Sequence, residues 1–201
     1  MEYNNVARDI LLIFSQFKVV SIFLYGNLSG KDVDVFVLLD GSIPYMKSEV
    51  NVYDITAIGE DWIPMLVRYR DPLVIEPVLG GSEIYGSISD SILSRLSSSF
   101  PDPDCPDFLR ECSSLFFSWA MIHERDDRCL VALETLRFAL SYALLAKHYE
   151  ASREICRFSN LLESSRPLTL INNSIKRARP EDAGKFIREI GLVLTEFGVL
   201  L

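Results

Sequence analysis

The chain opens with apolar residues at three- and four-residue steps. Val6, Ile10, Ile13, Phe14 and Phe17 fall on one side of a helix over 5–17, with Asn4 or Asn5 as its cap. The rhythm then changes. VVSIFLYG (19–26) is a β-branched and aromatic run that predicts a strand ending at Gly26. DVDVFVLLD (32–40) predicts a second strand, with Gly41 opening its exit turn, and VNVYDITAIG (50–59) a third. EDWIPMLVRYR (60–70) returns to a helical pattern, with Pro64 near its first turn. DPLVIEPVLGGSEIYGS is punctuated by Pro72, Pro77 and Gly80-Gly81, which predicts a short helix, a turn and a short strand.

SSSFPDPDCPD (97–107) interrupts both rhythms with a serine run and three prolines, and it reads as a connection. Beyond it the pattern is helical throughout, over 107–122, 126–149, 151–164, 168–178 and 181–197. Pro180 stands just before Glu181 and Asp182, which places acids at a helix N-terminus. The expected fold is α+β. A small mixed β-sheet flanked by helices occupies residues 1–96, and an all-α helical bundle occupies 105–201. No internal repeat is visible.

Charge narrows the partners. The 201 residues carry a net charge of −8, concentrated in residues 1–100, where 13 acids face 7 bases. Such a surface repels nucleic acid, so nucleic acid is not an expected partner. MEYNNVARDI lacks the basic and apolar regions of a secretory leader. The run FALSYALLA is far shorter than the roughly 20 residues of a membrane span, so no membrane association is expected. Cys105, Cys112, Cys129 and Cys156 form no C-x-x-C pair and read as buried thiols in a reducing, cytoplasmic setting. With only His123 and His148, a zinc site of His and Cys is not expected.

The chemistry concentrates in YGNLSGKDVDVFVLLDG (25–41). Side chains alternate along a strand, so Asp32 and Asp34 point one way, about 7 Å apart, and Val33, Val35 and Val37 point the other way into a core. Phe36 and Leu38 share the aspartates' face, which is therefore wet only at its start. Two carboxylates on a rigid element repel each other unless a cation lies between them. They suit Mg²⁺, which takes one or two carboxylates together with phosphate oxygens and water. The preceding glycines let backbone N–H groups approach a phosphate, and Lys31 stands beside the pair. The plainer alternative is a solvated strand edge. Asp54, in NVYDITAI, shares a face with Val52 and Thr56. It is either an exposed edge acid or, if its strand lies beside 32–39, the third member of a triad.

A helix, a strand ending LYGN, then DVDVFVLL, then VNVYDITAI together resemble the nucleotidyltransferase fold of the polymerase-β superfamily, in its minimal form. The resemblance covers about residues 5–87. It implies a site built from Gly26, Asp32, Asp34 and Asp54. The three acids would be metal ligands and catalytic groups, and Gly26, Asn27, Ser29 and Lys31 would line the nucleotide. It further implies Mg²⁺, with ATP or another nucleoside triphosphate as substrate, and a small-molecule or protein acceptor. Two departures stand out. Asn27 occupies the family's usual Ser position, and only four residues separate it from Asp32, where the family usually has about ten.

The helical half resembles, more loosely, the bundles that accompany such domains. The Arg–His spacing of HEPN-like ribonucleases is absent, since Arg110 to His123 and Arg137 to His148 are too far apart. His148 reads as a solvated residue near a helix C-terminus. Lys176, Arg177, Arg179, Lys185 and Arg188 read first as a solvated helix end and second as a phosphate or acceptor contact. Two functions follow as expectations. One is Mg²⁺-dependent transfer of a nucleoside monophosphate to an acceptor hydroxyl. The other is an inactive nucleotidyltransferase-like module that acts through its bundle, as a homodimer or with a partner protein.

Overall fold

The computed structural model describes residues 3–26, 33–98, 102–152, 154–158, 160–161 and 166–201. The chain divides into two compact units, Met1–Phe100 and Pro101–Leu201. The first is α+β and the second is helical.

In the first unit, α1 (Tyr3–Ile13) precedes β1 (Val19–Tyr25) and β2 (Val33–Leu39), which pair antiparallel. β3 (Met46–Val50) and β4 (Tyr53–Gly59) form a hairpin. A single 3₁₀ turn (Glu60–Trp62) leads into α2 (Ile63–Arg68), α3 (Pro72–Gly80), β5 (Ser82–Tyr85) and α4 (Ser89–Ser98). The sheet order is β3-β4-β2-β1-β5, with β2 and β4 parallel and every other pair antiparallel.

The third strand expected over 50–59 is thus two elements. Its first residues belong to a hairpin whose two-residue turn is Asn51-Val52. Asn51 takes φ +57°, a left-handed conformation that Asn tolerates, and Val52 is exposed in the turn rather than sharing a strand face with Asp54. The helix expected over 60–70 is split between the 3₁₀ turn and α2. α4 runs through Ser98 and the next helix starts at Cys105, so Ser97 and Ser98 of the expected 97–107 connection are helical.

The sheet's two faces follow from alternation. Val33, Val35, Val37 and Leu39 point to one side. There they pack with Ile22, Leu24, Ile55 and Ala57 against Val6, Ile10 and Phe14 of α1. The Tyr53 hydroxyl donates to Asp9 at 2.9 Å and ties α1 to β4. The opposite side buries Phe23, Phe36 and Leu38, with the two rings 6.1 Å apart. α3 packs on β1, and α2, α3 and α4 pack on one another through buried Leu66, Val74, Ile92 and Leu96. Glu83 of β5 accepts from Ser21 Oγ (2.5 Å) and from the Ile88 and Ser89 N–H groups (2.8 and 3.1 Å), which joins β1 to the start of α4.

The second unit is built on α5 (Cys105–Arg125) and α6 (Cys129–Ala151), which pack along their lengths. α7 (Arg166–Arg177) and α8 (Ala183–Glu196) follow, and α8 packs on both α5 and α6. Ala139, Ala143 and Leu140 of α6 are fully buried beside Phe117 and Ala120 of α5 and Ile190 and Leu194 of α8. The small side chains bring α5 close enough for the Ser113 hydroxyl to donate to the Ala139 carbonyl at 2.8 Å.

FALSYALLA lies inside α6, a helix of 23 residues that is long and apolar enough, by length and composition, to cross a membrane. The short run is therefore part of a longer apolar helix, most of whose apolar window is buried inside the unit. The helix expected over 151–164 is interrupted. Ser152 turns extended, its hydroxyl accepts from Glu154 N at 3.1 Å, and 154–157 are not helical. His148 sits on the last turn of α6, with Nε2 3.0 Å from the Glu154 carbonyl. The four cysteines are free, but only Cys105 is buried and the other three are half-buried. In the basic stretch, Arg179 and Lys185 lie near Glu181 and Glu189 at 3.8 and 3.9 Å.

Candidate functional site

Strand register assembles one row of polar side chains across four strands. Asp34 of β2 is flanked by Tyr25 of β1 on one side and Asp54 of β4 on the other. Asp54 in turn faces Glu49 of β3. Residues in register on neighbouring strands share a face and lie about 4.8 Å apart at the backbone. Asp34 and Asp54 therefore stand side by side at the starts of two parallel strands. The next row, Phe23, Phe36, Thr56 and Lys47, is apolar in the middle of the sheet and polar toward the β3 edge. Phe36 is fully buried while Asp34 is half-buried, so the face passes from wet to dry within one strand step.

Gly26 closes the row from the side. It has φ +75°, and a Cβ at that position would overlap the Asp34 carboxylate. Any other residue there would be strained and would also displace Asp34. Gly81, between α3 and β5, is pressed against the carbonyls of Leu24 and Pro77 and against the Tyr25 side chain, so the end of β1 is held from behind.

The two oxygens of Asp54 differ. Oδ2 lies 3.3 Å from Lys47 Nζ. Oδ1 is buried and has no hydrogen-bond donor. A buried carboxylate oxygen without a donor is costly, and a cation is one thing that would satisfy it. Lys47 is two residues from Glu49 on β3 and lies diagonally across from Asp54, within a lysine's reach. Tyrosines surround the acids. Burial pushes the Tyr25 hydroxyl up to about 12. A hydrogen bond with Thr56 opposes the shift, and the Asp34 and Asp54 charges add to it. Tyr45 is raised too, by burial, with Lys47 and Thr56 pulling the other way.

Of the residues singled out in the sequence, Gly26, Asp34 and Asp54 converge here. Asn27, Ser29, Lys31 and Asp32 lie outside the described residues. Among the described residues, no group of three or more His, Cys, Asp or Glu is placed to hold a metal. The Asp34–Asp54 pair offers hard carboxylate oxygens, one of them buried without a donor, and that donor set fits Mg²⁺ better than a soft metal. Lys47, Glu49, Tyr25 and Tyr45 were not singled out in the sequence. Asn51, a turn-former followed by alternating apolar residues, was the available signal that MKSEV pairs as a strand and so brings Lys47 and Glu49 to this face.

No family model and no curated protein matches this sequence. Among solved structures, the chain is similar to a nucleotidyltransferase-like protein from Exiguobacterium sibiricum 255-15. The two are 11% identical, with a TM-score of 0.40, over 97% of this chain and 75% of that one.

Proposed function

We propose that the N-terminal unit binds a nucleoside triphosphate with Mg²⁺ and transfers its nucleoside monophosphate to an acceptor hydroxyl. The observation that carries this reading is the in-register pair Asp34 and Asp54, on one face of parallel strands, with Asp54 Oδ1 buried and lacking a donor. In this reading Asp34 and Asp32 hold the cation, which supplies positive charge to the triphosphate oxygens. Asp54 takes the acceptor's proton or holds a second cation. The acceptor oxygen forms a bond to the α-phosphorus as the bond to the departing pyrophosphate breaks. Gly26 keeps the Asp34 carboxylate in place by leaving room for it. Asn27, Ser29 and Lys31 contact the phosphates, and the acceptor is a small molecule or a protein.

The test is direct. Purified protein is expected to bind ATP only when Mg²⁺ is present. Asp34→Asn should lose that binding, whereas Asp54→Asn should keep it and lose transfer of label from α-labelled ATP. Binding that ignores Mg²⁺, or that survives Asp34→Asn, overturns the reading.

A second reading has its own support. Lys47 already neutralises Asp54, and only residues 27–32 separate Gly26 from β2. Both features suit an inactive module that binds nucleotide without transfer and works through its helical unit. Mg²⁺-dependent ATP binding with no transfer to any acceptor, in the wild-type chain, would select it.

A further inference from the structure

The row Asp34, Asp54, Glu49 sets three carboxylates on adjacent strands of one face. Like charges opposite one another destabilise a sheet. Lys47, from the next row, reaches back to form an ion pair with Asp54. Glu49, directly across from Asp54, is exposed to solvent, while Asp54 is mostly enclosed, its side chain 29% exposed. The positive charge thus sits against the member of the row least able to relax into water. It sits on one oxygen only and leaves Oδ1, the buried oxygen without a donor, untouched.

We propose that Lys47 is a built-in counter-ion for this site: it stands in for part of a divalent cation's charge when none is bound, and its charge sets the cation affinity when one is. The proposal rests on the metal reading above and adds a residue to it. Lys47 is a positioning residue, acting through Asp54. An ammonium 3.3 Å from one oxygen of Asp54, the neighbour of Asp34, lowers the attraction of the whole acid row for a cation. It also offsets the charge of Asp54 where that residue stands beside Asp34. Removing the ammonium should therefore have two linked effects of opposite sign, with weaker folding in the absence of a cation and tighter binding in its presence. An ordinary surface ion pair would give only the first.

The test uses the full chain and Mn²⁺ as a spectroscopic substitute for Mg²⁺. Free Mn²⁺ is followed by electron paramagnetic resonance during titration, and thermal melts are recorded with and without saturating Mn²⁺. Lys47→Met is expected to bind Mn²⁺ roughly five- to tenfold more tightly than wild type. It should melt lower in metal-free buffer, and saturating Mn²⁺ should narrow that gap. Lys47→Arg, which keeps the charge, should bind as wild type does. Equal or weaker binding by Lys47→Met overturns the proposal whatever its melting temperature, as does tightening by Lys47→Arg to the same extent. If wild type and both variants fail to bind Mn²⁺ at all, the metal reading itself falls, and the role of Lys47 with it.

Discussion

The two faces of the sheet answer different demands with the same strands. On the α1 side every β2 position is aliphatic and buried, because a helix stripe covers the whole strand. On the other side the same strand reads Asp34, Phe36, Leu38, from half-buried to fully buried. The first face can be explained by packing alone. The second carries, at the dry margin of a core, an Asp beside another Asp, which adds nothing to packing. A function written on one face need not disturb the fold, because the opposite face supplies the cohesion.

That contrast can be broken most severely from the packed side. Val35→Asp would put a charge among Val6, Ile10 and Ile55, with no partner and no route to water. The expected loss is at least about 4 kcal/mol, and circular dichroism melts should show the N-terminal unit unfolded or nearly so. A milder break comes from the mixed face's far end. Burial works to raise the Glu83 carboxyl, but the hydrogen bonds from Ser21, Ser89 and Ile88 outweigh it and hold the group below the usual carboxylate range. The stabilisation that Glu83 gives is therefore full above the usual carboxylate value and fades as pH falls through its lowered one. Glu83→Gln should cost about 1 kcal/mol at neutral pH in urea denaturation, and its deficit should shrink on acidification. The smallest effect belongs to the acid row. Asp34→Asn in metal-free buffer should change stability by about 0.5 kcal/mol or less, since removing one of two adjacent like charges offsets the loss of the carboxylate's own contacts. A clear loss there would mean that Asp34 is a structural ion-pair partner.

These faces also explain what could be read from the sequence. β1, β2 and the body of β4 are runs of Val, Ile, Leu and Phe, and alternation alone put Val33, Val35 and Val37 opposite Asp34. The adjacency of the 32–39 strand and the Asp54 strand was legible as a condition, and the register meets it. β3 was not legible. Met46–Val50 is an edge strand with Lys47, Ser48 and Glu49 exposed, so its polarity is that of a loop. Missing it hid Lys47, the cation that contacts Asp54. In the helical unit, Ile155, Phe158 and Leu161 keep a helical spacing, but α6 stops at Ala151, the Ser152 hydroxyl accepts from the Glu154 N–H, and 154–157 are not helical.

The long apolar helix of the second unit bears on how the chain is made. α5 leaves the ribosome first and can meet α6 as it emerges. α8, which covers another part of α6, begins some thirty residues after α6 ends. At ordinary translation speeds that delay is about 2–6 s. A helix of this length and apolarity needs its partners to keep its surface from water, and α5 is the one already made when α6 emerges. The contact of α5 with α6, through buried alanines and the Ser113 bond, is thus the part of the core that can form before the rest of the helical unit exists.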